Sequence, residues 1–255
     1  MSDQATKARA FHALHVSGKP LVLFNVWDAG SAKVVTEAGA KALATGSWSV
    51  AAAHGVADGE RLPLDLAMAN FTRIVGASAL PVSVDIESGY GKTPEEVGRT
   101  VARTLEAGAI GCNIEDSFTA DGTLRPLDEQ VERIRHARQA AEAAKIPYFI
   151  NARTDVFFQK SAAKPDAAMV EAALVRARAY AEAGASGFFV PGLKDGELIA
   201  QLARACPLPL NVMVGSGTPA LNILAEAGVS RVSHGPGAYL AAMKFLTEAA
   251  RSALG

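Results

Sequence analysis

The sequence predicts a (β/α)₈ barrel, the TIM-barrel architecture, occupying all 255 residues as one domain. Three observations predict it. The tripeptide Glu-Ala-Gly recurs at 37–39, 106–108, 182–184 and 226–228, each time closing an Ala-rich helical stretch. Eight short apolar segments punctuate the chain, and segments of helical length alternate with them.

Residues 1–17 read as a short helix covering the barrel bottom. The first strand is Leu21–Val26, the second Ala42–Thr45 and the third Pro81–Asp85. The fourth is Gly111–Ile114, the fifth Tyr148–Ala152 and the sixth Gly187–Val190, with Leu210–Met213 and Arg231–Ser233 completing the set. Gly39, Gly108, Gly184 and Gly228 end the helices that precede the even-numbered strands, because glycine accepts the left-handed conformation that stops a helix. Between Leu127 and Ala144, Val131, Ile134, Ala137 and Ala141 fall on one face at helical spacing. Gly237–Ala253 is the last helix, and its Tyr239, Leu240, Met243, Phe245 and Leu246 suit burial against a partner as well as against the barrel. The strands lack strict alternation, as expected when both faces are covered. An open doubly wound sheet would want a GxGxxG turn after its first strand, and 25–31 (Asn-Val-Trp-Asp-Ala-Gly-Ser) is not one.

Composition narrows the partners. Lys and Arg number 25 against 26 Asp and Glu, which argues against nucleic acid and against a basic membrane-binding face. No run reaches the roughly 18 apolar residues a membrane helix needs, and the polar start is unlike a signal peptide, so a cytoplasmic location is expected. Cys112 and Cys206 make neither a disulfide framework nor a zinc motif.

Such barrels carry their chemistry at the C-terminal ends of the strands. Reading those ends yields Asn25 and Asp28, Thr45-Gly46-Ser47, Asp85 and Glu87, Asn113, Glu115 and Asp116, Asn151, Arg153 and Asp155, Asn211 and His234. Asp85 and Glu87 are separated by one residue, so in extended backbone they point the same way, as do Asn113 and Glu115. Carboxylates converging on one mouth repel unless a cation sits among them. An all-oxygen set favours a hard ion, Mg²⁺ foremost with Mn²⁺ as an alternative. Arg153 supplies a fork for a substrate carboxylate. The neutral total thus hides an acidic rim.

The runs 84–91 (Val-Asp-Ile-Glu-Ser-Gly-Tyr-Gly), 114–116 (Ile-Glu-Asp) and 152–155 (Ala-Arg-Thr-Asp), with Asn25–Ala29 and Thr45–Ser47, resemble the isocitrate lyase/phosphoenolpyruvate mutase superfamily. The resemblance spans about Asn25 to Asn211. It implies Mg²⁺-dependent chemistry on pyruvate-like acids through a metal-stabilised enolate, and a homodimer or homotetramer that exchanges its last helix. By position, Asp85 would bind the metal directly, and Asp58, Glu87 and Glu115 would hold its waters. Thr45, Gly46, Ser47, Arg153 and Asn211 would bind substrate, with Arg153 and Glu115 also counted as catalytic.

Departures from the pattern bear on the reaction. The segment Ser117–Arg125 stands where the lyases carry Lys-Lys-Cys-Gly-His, and it has no Cys, His or Lys. The Lys and Asn of the phosphonopyruvate branch are missing there too, and Pro191 replaces a lyase Glu. Cleavage of a C–C bond in a small 2-oxo or 2-hydroxy di- or tricarboxylate is expected, oxaloacetate decarboxylase-like or 2-methylisocitrate lyase-like, with His234 or Tyr90 as candidate acids. The alternatives are a C–P mutase or hydrolase (of the phosphoenolpyruvate mutase, carboxyphosphonoenolpyruvate phosphonomutase or phosphonopyruvate hydrolase type), a phosphate-binding barrel using 215–218, and a barrel that binds a small acid without turnover. Asp28 and Asp155 serve equally as a helix cap and as a partner that orients Arg153, and Asp58 as a solvated loop residue. His12, His15 and His136 are assigned to the surface. His54 lies close enough to the second strand's loop to reach the mouth.

Overall fold

A computed structural model describes residues 3–159 and 164–255, so the first two residues of the expected N-terminal helix lie outside the described residues. The barrel runs α1 (Asp3–Ala13), β1 (Leu21–Leu23), α2 (Ala29–Glu37), β2 (Leu43–Ala44), α3 (Ser47–Ala53), α4 (Leu64–Gly76), β3 (Val82–Asp85) and α5 (Pro94–Glu106). It continues through β4 (Gly111–Glu115), α6 (Leu127–Ala143), β5 (Phe149–Arg153), α7 (Ala167–Glu182), β6 (Gly187–Val190) and α8 (Gly196–Ala205). It ends with β7 (Leu210–Met213), α9 (Leu221–Glu226), β8 (Arg231–Ser233) and α10 (Gly237–Leu254). All neighbouring strands pair in parallel, in the order β1-β8-β7-β6-β5-β4-β3-β2. The four glycines of the Glu-Ala-Gly repeats take φ of 94°, 88°, 99° and 92°, the left-handed helix stops their spacing predicts.

The seam between β1 and β2 is where expectation and structure part. β1 ends at Leu23 rather than Val26, and only a Val26–Thr45 bridge joins it to β2. A buried side chain replaces the missing ladder. Asn25 donates through Nδ2 to the Thr45 carbonyl at 2.9 Å, and its Oδ1 accepts from the backbone N–H groups of His234 and Gly235, each at 2.9 Å. One carboxamide therefore ties β1, β2 and β8 at the mouth.

Beneath the barrel, α1 packs Phe11 edge-on against Phe149, with ring centroids 5.3 Å apart. His15 stacks on the same Phe149 ring at 4.1 Å, so it is a packed residue and not the surface histidine expected. Burial pushes its imidazole down to about 3, with the nearby Arg231 charge adding to the effect.

At the other end α10 stands off. Among its described residues only Ala238 is buried, while Leu240, Phe245 and Leu246 are 50%, 73% and 58% exposed. A groove of about 660 Å³ lined by Val22, Phe24, Val34 and Val35 runs along β1 and α2. Among the described residues no helix is long and apolar enough to cross a membrane.

Candidate active site

Strand geometry brings Asn25, Gly46, Ser47, Asp58, Asp85, Asn113, Arg153 and Ser233 around one cavity of about 160 Å³ at the C-terminal end of the barrel. Trp48 lines its edge at 40% exposure. Thr45 itself does not face this space. It is fully buried, and its Oγ1 accepts from the Asp85 backbone N–H at 2.7 Å, so its hydroxyl sets the height of the third strand.

Asp85 and Glu87 do not share a face. The strand stops at Asp85, and Glu87 turns to φ 52°, a left-handed conformation that is costly for a residue with a Cβ. Its carboxylate is tied down nearby, accepting from the backbone N–H groups of Gly59 at 2.7 Å and Glu60 at 2.5 Å and from the Tyr90 hydroxyl at 3.0 Å. Glu60 and Tyr90 are left-handed as well, at φ 59° and 51°. Glu60 accepts from Ser88 Oγ at 2.7 Å and from the Tyr90 N–H at 2.8 Å, which locks the three strained residues together. Glu60 was not singled out in the sequence, because a loop acid two residues after Asp58 carries no local signal of this partnership.

The carboxylates press on one another. Burial pushes Glu87 up to about 7, and Asp58 adds to it. Burial likewise raises Asp58, with Asp85 repelling it and Ser47 and Arg153 opposing. Glu115 is raised by burial against the pull of Arg153. Arg153 meets two acids: Nε and Nη2 donate to Asp155 at 2.6 and 3.0 Å, and Nη1 reaches Glu115 at 2.8 Å. Burial opposes its charge, but Glu115 and Asp155 outweigh burial and hold the guanidinium protonated. Asp155 thus orients Arg153, and the edge of the fork expected for substrate is already occupied.

Among the described residues no group of three or more His, Cys, Asp or Glu side chains is gathered closely enough to hold a metal ion unaided. Mg²⁺ does not ask for one, since it keeps several waters and takes one or two carboxylates. Asp58 and Asp85 on the cavity wall, with Glu87 repelled by both, form an all-oxygen and under-compensated set that suits such an ion.

Other expected residues lie elsewhere. His234 follows Ser233, which faces the barrel interior, so strand parity turns its ring outward to Phe24, 4.9 Å away. It does not line the cavity. Tyr90 faces the neighbouring space under 118–125, and burial together with Glu87 raises its hydroxyl further. Asn211 lies one layer down, 1% exposed, with Oδ1 accepting from Ser233 Oγ at 3.2 Å. His54 is exposed, with Nδ1 at 2.9 Å from the Val50 carbonyl of its own helix. Asp28 caps α2, and Asp116 is buried against Arg176 and Tyr180. The 215–218 turn closes on itself, the Gly215 N–H donating to Thr218 Oγ1 at 3.0 Å, which removes an amide from any phosphate cradle.

Comparison with known proteins is consistent with this geometry. The model of the phosphoenolpyruvate phosphomutase family matches residues 11–254. The oxaloacetate decarboxylase of Pseudomonas putida is 33% identical over 246 residues, covering 92% of this chain and 80% of that protein. The 2-methylisocitrate lyase of Escherichia coli is 31% identical over 222 residues, covering 83% and 71%. A crystal structure of a protein from Burkholderia cenocepacia J2315, described provisionally as a phosphonomutase, is 56% identical with a TM-score of 0.95, covering 98% of this chain and 99% of that one.

Proposed function

Because the chain belongs to the phosphoenolpyruvate phosphomutase family, within the isocitrate lyase/PEP mutase superfamily of lyases and mutases, we propose that it is a Mg²⁺-dependent lyase that breaks a C–C bond of a small 2-oxo or 2-hydroxy di- or tricarboxylate. Oxaloacetate decarboxylation is the reaction its residues fit best. The observation that carries this reading is a small cavity in which Asp58 and Asp85 face Arg153 and which, among the described residues, no His, Cys, Lys or Tyr side chain lines. Ser117–Arg125 folds back on itself, Phe118 N–H donating to the Thr123 carbonyl at 2.8 Å, and offers no Cys, His or Lys. Tyr90 commits its hydroxyl to Glu87, and His234 turns to Phe24. Retro-aldol lyases need a placed proton donor; a decarboxylase can take the proton from solvent.

Asp85 would hold the ion directly, with Asp58, Glu87 and Glu115 on its waters. Bound Mg²⁺ supplies a Lewis acid that polarises the 2-oxo group and accepts negative charge as the bond breaks. The chain does the rest. Gly46 and Ser47 border the substrate oxygens, and Arg153 offers its uncommitted N–H groups to a carboxylate. Glu115 and Asp155 keep the guanidinium fixed, so little ordering is left to do on binding.

Identity to the Burkholderia protein favours a second reading, cleavage of a C–P bond. The test is a panel of oxaloacetate, 2-methylisocitrate, dimethylmalate and phosphonopyruvate with and without Mg²⁺. Pyruvate from the carboxylates supports the proposal, whereas phosphate or phosphoenolpyruvate from phosphonopyruvate alone moves the chain to the C–P branch. We also assign α10 to exchange between subunits of a homodimer or homotetramer, since it exposes an apolar face and the β1/α2 flank carries an apolar groove.

A further inference from the structure

Directly under the cavity floor lies a cation the proposed reaction has not used. Arg231, on β8, is fully buried inside the barrel, and the carboxylate that acts on it, Asp85, does so from a distance rather than as an ion-pair partner. A guanidinium buried without a paired acid lowers stability, and an apolar residue of its size would be tolerated or better tolerated there. What it does is written in its hydrogen bonds. Nη2 crosses the barrel to Asn113 Oδ1 at 3.3 Å, and Nε reaches Ser233 Oγ at 3.4 Å.

Arginine has only donors, and that fixes the polarity of everything it touches. Asn113 must turn its oxygen downward, where it also accepts from Asn151 Nδ2 at 2.9 Å. Its amino end is then the one left to the cavity that Asn113 lines. Ser233, receiving a hydrogen from Arg231, must pass its own onward, and it donates to Asn211 Oδ1 at 3.2 Å. The Asn211 Nδ2 is accordingly a buried donor with no partner.

We propose that Arg231 is a positioning residue that polarises the barrel floor, holding the Asn113 carboxamide with its N–H end towards the cavity so that the floor donates to an oxyanion of the bound acid, with Asn211 in the layer beneath held the same way round. The idea rests on the reading above that this cavity binds a small carboxylate. It adds a group two layers from the substrate that decides which atoms the substrate meets.

Oxalate, whose adjacent carboxylates imitate the oxygens of a pyruvate enolate, is the probe, titrated calorimetrically with saturating Mg²⁺. Arg231→Gln removes the charge and the donor-only constraint, letting both carboxamides flip, and is expected to weaken oxalate about tenfold or more. Arg231→Lys, still donor-only, should recover most of that loss, a rescue that simple packing would not produce. Mg²⁺ binding measured without oxalate should not weaken in either variant. Asn113→Asp puts an oxygen where the proposal needs an N–H, and should abolish oxalate binding while Arg231 gains a paired acid; it serves where Arg231→Gln does not fold. Wild-type affinity in Arg231→Gln or in Asn113→Asp overturns the role of Arg231 and leaves the carboxylate site standing. Failure of the wild-type protein to bind oxalate with Mg²⁺ overturns both.

Discussion

Arg153 commits Nε and Nη2 to Asp155 and one Nη1 hydrogen to Glu115, so two of its five N–H groups remain for a substrate. Arg153→Lys removes the fork, strands one carboxylate of the pair, and should raise KM about tenfold or more, with a fall in Tm, since a buried carboxylate losing its partner costs about 1–3 kcal/mol. An unchanged KM for the best substrate would take Arg153 out of the site. His15 gives a stability test with a defined sign. Its folded value of about 3 lies below the ordinary 6.5, so between those pH values the unfolded chain takes up a proton that the folded chain refuses. Its contribution is therefore full above about pH 6.5 and is lost as pH falls toward 3. His15→Leu should flatten this acid limb in denaturant titrations from pH 7 to 4; an unaltered slope would contradict the burial argument. Most of the polar residues that line the cavity were legible because strand-end positions are countable. His234 lies off the cavity, and parity could have placed it there: Ser233 and His234 are consecutive in an extended chain and face opposite ways. Glu60 and Arg231 were not legible, since each acts through partners 27 and 118 residues away.

The repeated helix stop is a property of elements. Gly39, at φ 94°, has nothing within 4 Å of an added Cβ, so Gly39→Ala should cost only the backbone strain, about 1 kcal/mol. At Gly111, which opens β4, a Cβ would fall 2.6 Å from the Phe149 carbonyl oxygen of the paired strand. Gly111→Ala should therefore cost clearly more than Gly39→Ala, and equal losses in chemical denaturation would mean that strand spacing is not the constraint. Helix ends and strand centres could be read from sequence because glycine and apolar clustering are local signals. The β1 end could not, because the Asn25 staple exists only once β8 has come round to meet it.

For the whole molecule, the acidic rim and the projecting α10 matter most. Charge counts near neutrality concealed an asymmetry that the fold makes physical: Asp58, Asp85, Glu87, Glu115 and Asp155 surround the mouth, answered by Arg153 within it and Arg231 below. Light scattering should find the full chain as a dimer or tetramer, and removal of residues 237–255 should yield monomers or aggregates by uncovering apolar surface; a full chain that stays monomeric would contradict helix exchange. The apolar face of α10 was visible in sequence as Tyr239, Leu240, Met243, Phe245 and Leu246, because apolar clustering is a local signal. In the proposed reaction the rim's carboxylates would gather a divalent ion to break a C–C bond. Its most direct measurement is pyruvate release from oxaloacetate with Mg²⁺, corrected for the rate of the metal alone and compared between the wild-type protein and Asp85→Ala. Saturable release that a chelator abolishes, and that Asp85→Ala loses while remaining folded, is expected; release no faster than the metal alone, or undiminished in Asp85→Ala, would contradict the metal-bound lyase.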